Sequence, residues 1–103
     1  MTVLRHYRMK AAAGREQDLR AALITLAGQL RPLDGYEGVE LFADPSDHAT
    51  YIFIEHWRTI DDHKAGGQAL GKDAFASVMA ALAEPPEGLY LEPVPIAGAD
   101  ASA

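Results

Sequence analysis

None of the 103 residues is cysteine. That excludes a disulfide framework, thiolate zinc sites, iron–sulfur clusters and cysteine nucleophiles. Positive charge is also scarce: nine Lys and Arg stand against fifteen Asp and Glu, a formal net charge of −6. No apolar run approaches the about 18 residues that a membrane span needs, so no membrane partner is expected. The first ten residues carry Arg5, Arg8 and Lys10 with no apolar stretch after them, unlike a secretory leader. The expected compartment is therefore the cytoplasm. The four histidines, His6, His48, His56 and His63, form no i, i+4 pair, so no metal site is expected. What is present is apolar bulk: 49% of residues are hydrophobic, too many for a disordered chain and enough for one domain with one core.

The sparse positive charge is unevenly placed. Residues 1–31 hold six basic and two acidic side chains, whereas the remainder holds three basic and thirteen acidic. Arg15, Arg20 and Arg31 lie along a predicted helix with Glu16 and Asp18 between them, and no aromatic residue interleaves. This reads as a solvated face rather than a phosphate-binding surface, and the acidic remainder would repel a polyanion. No nucleic-acid partner is expected. The run Gly66-Gly67 to Gly71-Lys72 lacks the spacing, the following Ser or Thr and the preceding strand of a phosphate loop. Ser46, Ser77 and Ser102 suggest no nucleophilic triad.

Periodicity gives the order of elements. Val3 to Met9 alternates as a strand, with Val3, Arg5, Tyr7 and Met9 on one face and Leu4, His6 and Arg8 on the other. Glu16 to Leu30 carries a helical stripe of Leu19, Leu23, Leu26 and Leu30, stopped by Arg31-Pro32. Tyr36 to Phe42 reads as a strand with Tyr36, Gly38, Glu40 and Phe42 on one side, and Asp44-Pro45-Ser46-Asp47 as a hairpin turn. Thr50 to Trp57 sets Tyr51, Phe53, Glu55 and Trp57 opposite Ile52, Ile54 and His56, which predicts a central strand covered on both sides. Thr59 opens a helix that Gly66-Gly67 is expected to end. Asp73 is expected to cap another, with Phe75, Val78, Met79 and Leu82 as its apolar stripe, before Pro85-Pro86. Leu89 to Val94 reads as a last strand at a sheet edge.

This order predicts an α+β, ferredoxin-like βαββαβ domain with a four-stranded antiparallel sheet over residues 1–95, and a flexible tail over residues 96–103. Helices would cover one sheet face only, which leaves an apolar face on the third strand and predicts a homodimer packed through its sheet faces.

The run Tyr51-Ile52-Phe53-Ile54-Glu55-His56-Trp57 followed by a helix resembles small proteins of the antibiotic biosynthesis monooxygenase family. Gly35-Tyr36-Glu37-Gly38-Val39-Glu40-Leu41-Phe42 with Asp44-Pro45 resembles that family's second strand and turn, as Phe75 with Leu82 and Leu91-Glu92-Pro93-Val94 resemble its later elements. The likeness spans roughly residues 2 to 95, and its specificity lies in the order of short motifs. It implies a dimeric α+β barrel with a cavity between sheet and helices in each subunit. The implied function is oxidation of an aromatic polyketide- or quinol-like molecule by O2 with no cofactor. A non-catalytic ligand-binding or structural dimer is the alternative, and haem binding or degradation a third. Trp57 matches a cavity tryptophan of the family, Phe53 stands where its oxygenases often carry asparagine, and Gly67 where haem-degrading relatives carry histidine.

Such chemistry needs aromatic walls, a group that assists deprotonation and exclusion of bulk water. His63 and Trp57 are the candidate catalytic residues; Tyr51, Phe53, Glu55, Tyr7 and Arg5 are the candidate substrate-binding residues. Each has a plainer reading. Tyr51, Phe53 and Trp57 at strand spacing also suit a core, His63 between Asp62 and Lys64 also suits a solvated helix face, and Glu55 can pair with Arg5 or Arg8. His56, on the opposite strand face, suits an interface better than a catalytic site, with His6 a possible companion there.

Overall fold

The structure, a computed structural model, describes residues 2–97. The elements are Val3–Lys10 (β1), Glu16–Leu30 (α1), Tyr36–Asp44 (β2), Asp47–Trp57 (β3), Ile60–Leu70 (α2), a 3-10 turn at Lys72–Phe75, Ala76–Ala81 (α3) and Glu87–Leu91 (β4). The strands form one antiparallel sheet in the order β2-β3-β1-β4, the ferredoxin-like arrangement. The expected fold class is the observed one. The expected tail lies outside the described residues from 98 onward.

The core forms between the helices and one sheet face. Leu19, Leu23, Leu26 and Leu30 of α1 are at most 3% exposed and pack with Val3, Met9, Tyr51, Phe53 and Trp57. Burying a leucine stabilises a fold by roughly 1.5–3 kcal/mol, so this stripe outweighs the lack of a side-chain cap at Arg15. At the β2–β3 hairpin the Asp44 carboxylate accepts from the Ser46 backbone N–H (2.8 Å) and Ser46 Oγ (2.7 Å). Those bonds close the turn and hold the Asp44 carboxyl below its usual range.

Five local expectations change. The last strand runs over Glu87–Leu91 rather than Leu89 to Val94. Gly66-Gly67 does not end α2, which runs to Leu70 and stops where Gly71 takes φ +78°. Gly66 instead faces the Trp57 ring: a Cβ there would lie 2.7 Å from Trp57 Cη2. Asp73 caps nothing and sits inside the 3-10 turn. Met79 is 53% exposed, and Val78 and Ala81 are the buried residues of α3. The chain leaves that short helix at Leu82 to bridge Ala11, which narrows the inward stripe. Finally, a bulge between Tyr36 and Gly38 turns Tyr36 to the helix side, opposite Trp57, while Gly38, Glu40 and Phe42 stay on the other face.

The two neighbouring glycines of α2 therefore answer oppositely to the same change. Gly67, with nothing within 4 Å of a built Cβ, gains about 0.5–1 kcal/mol of helix propensity as Gly67→Ala. Gly66→Ala gains the same propensity and loses about 1–3 kcal/mol to overpacking on the indole, so its urea midpoint falls while that of Gly67→Ala rises.

Candidate functional site

The sheet register assembles the site. Glu55 of β3 lies opposite Arg5 of β1, which lies opposite Tyr90 of β4. The adjacent row runs Phe53, Tyr7, Gly88. Paired residues of an antiparallel sheet share a face, so Arg5, Tyr7, Glu55 and Tyr90 all point toward the helices.

Helix α2 supplies the fifth group. Thr59 caps it by accepting from the Asp62 backbone N–H at 3.0 Å, and Asp62 is held in turn by Arg58. One turn on, His63 reaches back over the sheet. Its Nδ1 is 2.6 Å from the Tyr90 hydroxyl and its Nε2 is 3.1 Å from the Tyr7 hydroxyl. The Nε2 also lies 3.7 Å from Glu55 Oε1. Trp57 closes the back of the cluster: its indole N–H donates to Glu55 Oε1 at 2.8 Å, and its ring meets His63 and Tyr36 edge-on at centroid distances of 5.7 and 5.8 Å.

Electrostatics follow from burial. Desolvation raises the Glu55 carboxyl to about 7, against the opposing pull of the Trp57 hydrogen bond and the nearby Arg5 charge. Desolvation lowers His63 to about 4, with Arg5 and Lys64 adding to the effect. Burial also raises the Tyr7 phenol, assisted by the Glu55 charge. Near neutral pH, His63 is thus an uncharged imidazole with one donating and one accepting nitrogen between two tyrosines. Glu55 sits near its midpoint, the condition in which a carboxyl can take or give a proton.

Of the residues expected at the site, Arg5, Tyr7, Glu55, Trp57 and His63 come together. Tyr51 and Phe53 do not join them: both are core residues at 4% and 1% exposure, with the Tyr51 hydroxyl directed to the Glu16 carbonyl. Glu55 bonds Trp57 rather than pairing with Arg8, which approaches Glu87. His56 bonds Glu40 at 2.7 Å on the other sheet face, where His6 lies beside Ile54 and Leu89. Sequence reasoning missed Tyr90 and Gly88; the alternation of Leu89, Tyr90 and Leu91 was the signal available for Tyr90.

Three surface clefts are lined by none of Arg5, Tyr7, Glu55, Trp57, His63 or Tyr90. One of about 500 Å³ lies between α1 and α3, lined by Arg15, Asp18, Thr25, Gln29 and Ser77 among others. One of about 380 Å³ is lined by Leu33, Asp62 and Gly66, with Gly66 between it and Trp57. The third, about 230 Å³, lies by Val3, Arg58 and Ile60. Among the described residues no three His, Asp or Glu side chains gather closely enough to hold a metal ion.

The two shifted groups oppose each other in stability. The fold favours protonated Glu55, so its contribution falls as pH rises from about 4.5 to about 7. The fold favours neutral His63, so its contribution rises with pH from about 4 to about 6.5. In the wild type these slopes largely cancel. Glu55→Gln should leave stability rising with pH in that window, and His63→Gln should leave it falling, each by on the order of 1 kcal/mol per pH unit. Urea midpoints measured across the interval check both signs.

The antibiotic biosynthesis monooxygenase family model matches residues 2–69. No curated protein matches the chain by sequence. Among solved structures, a Bordetella bronchiseptica protein bearing the same family name superposes with a TM-score of 0.81 at 21% identity, covering 90% of this chain and 97% of its own. One from Chloroflexus aurantiacus, also so named, gives 0.77 at 25% identity, covering 92% and 95%. SnoaB, a cofactor-independent oxygenase from Streptomyces nogalater, gives 0.80 at 13% identity, covering 94% and 97%. No helix among the described residues is long and apolar enough to cross a membrane. With more than half its length matched by the family model and the fold agreeing, the chain belongs to the antibiotic biosynthesis monooxygenase family.

Proposed function

We propose that the chain is a cofactor-independent monooxygenase acting on a small aromatic, polyketide- or quinol-like substrate. The observation that carries this is the convergence of Tyr7, His63 and Tyr90 on one hydrogen-bonded chain beside a buried Glu55. Family membership and the likeness to SnoaB support it.

In this reading the uncharged His63, with Glu55 behind it, accepts the proton of a phenol or of an anthrone methylene. The substrate anion then gives an electron to O2, and the radical pair combines to a peroxide. Loss of water leaves a new carbonyl: one oxygen atom enters the product, the other leaves as water, and the substrate is the reductant. Trp57 acts by holding Glu55 and walling off the site, since its N–H is already committed to that carboxylate. Oxygen uptake with a panel of anthrones and quinols tests this. Wild-type protein should consume O2 with at least one, and His63→Gln should slow it by about 10²–10⁴-fold, the usual worth of general acid–base assistance.

One observation favours a second reading, a ligand-binding or structural protein of the same fold: Trp57 is only 1% exposed and tightly packed. A folded wild type that consumes no O2 with any member of the panel would select it.

We also propose that the working unit is a cytoplasmic homodimer joined through the sheet face away from the helices. Phe42, Leu89 and Leu91 are 41–48% exposed there, beside Ile52 and Ile54. Sedimentation should give a dimer for the wild type and a folded monomer for Ile54→Glu; a monomeric wild type would refute the arrangement.

A further inference from the structure

Arg5 is the one charged group of the cluster that the proton-handling scheme does not use. Its guanidinium carbon lies 4.3 Å from the centre of the Tyr90 ring and 5.0 Å from that of Tyr7, so the two rings flank the group. Such contacts are favourable, and the guanidinium also approaches the Tyr7 hydroxyl closely enough to oppose the rise of that phenol's pKa. The Arg5 Nε is buried with no hydrogen-bond partner among the described residues. None of the ion pairs among those residues includes Arg5. Its sheet neighbour Glu55 turns its Oε1 to the Trp57 indole instead.

The backbone keeps room for this placement. A Cβ at position 88 would come 2.7 Å from Arg5 Nη2 and 3.0 Å from Tyr7 Cε1. A side chain at position 88 would displace the guanidinium end of Arg5 and crowd the Tyr7 ring. A half-buried arginine between two aromatic faces, in no ion pair and with its Nε unbonded, is poorly explained as structure when the neighbouring Glu55 carboxyl is turned to Trp57, because a weakly compensated cation costs stability. It is well explained as one half of an ion pair whose other half arrives from solution.

We propose that the site selects aromatic substrates bearing an oxyanion, and that Arg5, held by Tyr7, Tyr90 and Gly88, is the residue that recognises it. This deepens the functional reading, since it rests on the same cluster being the substrate site. A guanidinium pairs with a planar carboxylate through two parallel N–H donors, and with a phenolate through one. An anion there would put the aromatic ring against the Tyr90–His63 edge, within reach of the histidine. Tyr7 and Tyr90 then have two tasks, holding the imidazole by their hydroxyls and the arginine by their faces.

Calorimetry with 1-hydroxy-2-naphthoate and with 1-naphthol compares a carboxylate with its neutral parent. A third probe, 4-nitro-1-naphthol, studied below and above the pH at which its hydroxyl ionises, reports on a phenolate. The single tryptophan, Trp57, provides one indole N–H signal in a nitrogen–proton correlation spectrum, which locates binding at this site. The wild type should bind at least one anionic form about tenfold or more tighter than the neutral parent, with the Trp57 signal shifted. Arg5→Met should abolish that preference while retaining 1-naphthol binding. Gly88→Ala, which displaces the guanidinium without removing it, should weaken the preference and serves if Arg5→Met fails to fold. Equal affinity for charged and neutral forms, a preference that survives Arg5→Met, or binding that leaves the Trp57 signal unmoved overturns the proposal. Binding and turnover separate the two readings. Anion-selective binding without O2 uptake keeps this inference and removes the oxygenase, and uptake with neutral quinols but no anion preference does the reverse.

Discussion

A carboxylate buried in the centre of the sheet is the constraint around which the rest of the site is arranged. Glu55 is 3% exposed on β3, where an unpartnered charge would be costly. It is accommodated by a carboxyl pKa raised to about 7 and by one hydrogen bond from the indole two residues along the same strand face. That bond holds the Trp57 ring under α2, where the close approach of the helix leaves no room for a Cβ at Gly66. The height of α2 above the sheet in turn places His63 between Tyr7 and Tyr90. Each step depends on the one before, so the position of the imidazole is set by the burial of the acid.

How much of this could be read from the sequence depends on whether the information is local. The α1 stripe and the alternation of β3 are local, and both stand in the structure as read. The register that joins Glu55, Arg5 and Tyr90 into one row is not local, because β1 lies between β3 and β4 in space while the chain separates them by dozens of residues. Tyr90 therefore looked like any tyrosine of a short edge strand. The bulge that turns Tyr36 toward Trp57 is also set by pairing rather than by the alternation of β2 itself. Gly66 misled for a related reason: glycine signals the end of a helix when only propensity acts, and a close approach when a large ring lies beneath it. The aromatic triplet of β3 was read as a possible ligand wall, yet alternation alone cannot separate the stretch that faces α1, with Tyr51 and Phe53, from the stretch that faces α2.

The two faces of the sheet carry an unusual division of polarity. A sheet with helices on one side normally puts its apolar residues under them and its polar ones toward water. Here the helix side holds Arg5, Tyr7, Glu55 and Tyr90 beside its apolar core, whereas the open side presents Leu4, Ile52, Ile54, Phe42, Leu89 and Leu91 among His6, Arg8, Glu40 and His56. Packing alone would favour neither choice. A small domain has little apolar surface to spare, and replacing a buried polar network with aliphatic side chains is commonly neutral or stabilising. Polar groups retained under the helices at that cost are best explained by chemistry or recognition performed there. The apolar groups left outside are best explained by a second copy, which would cover the one face that this chain's own helices do not reach. Both departures from the usual pattern involve β1 and β3, with Arg5, Tyr7 and Glu55 on one face and Leu4, Ile52 and Ile54 on the other. The register that aligns the apolar groups of the open face therefore also fixes the row of Glu55, Arg5 and Tyr90 on the opposite side.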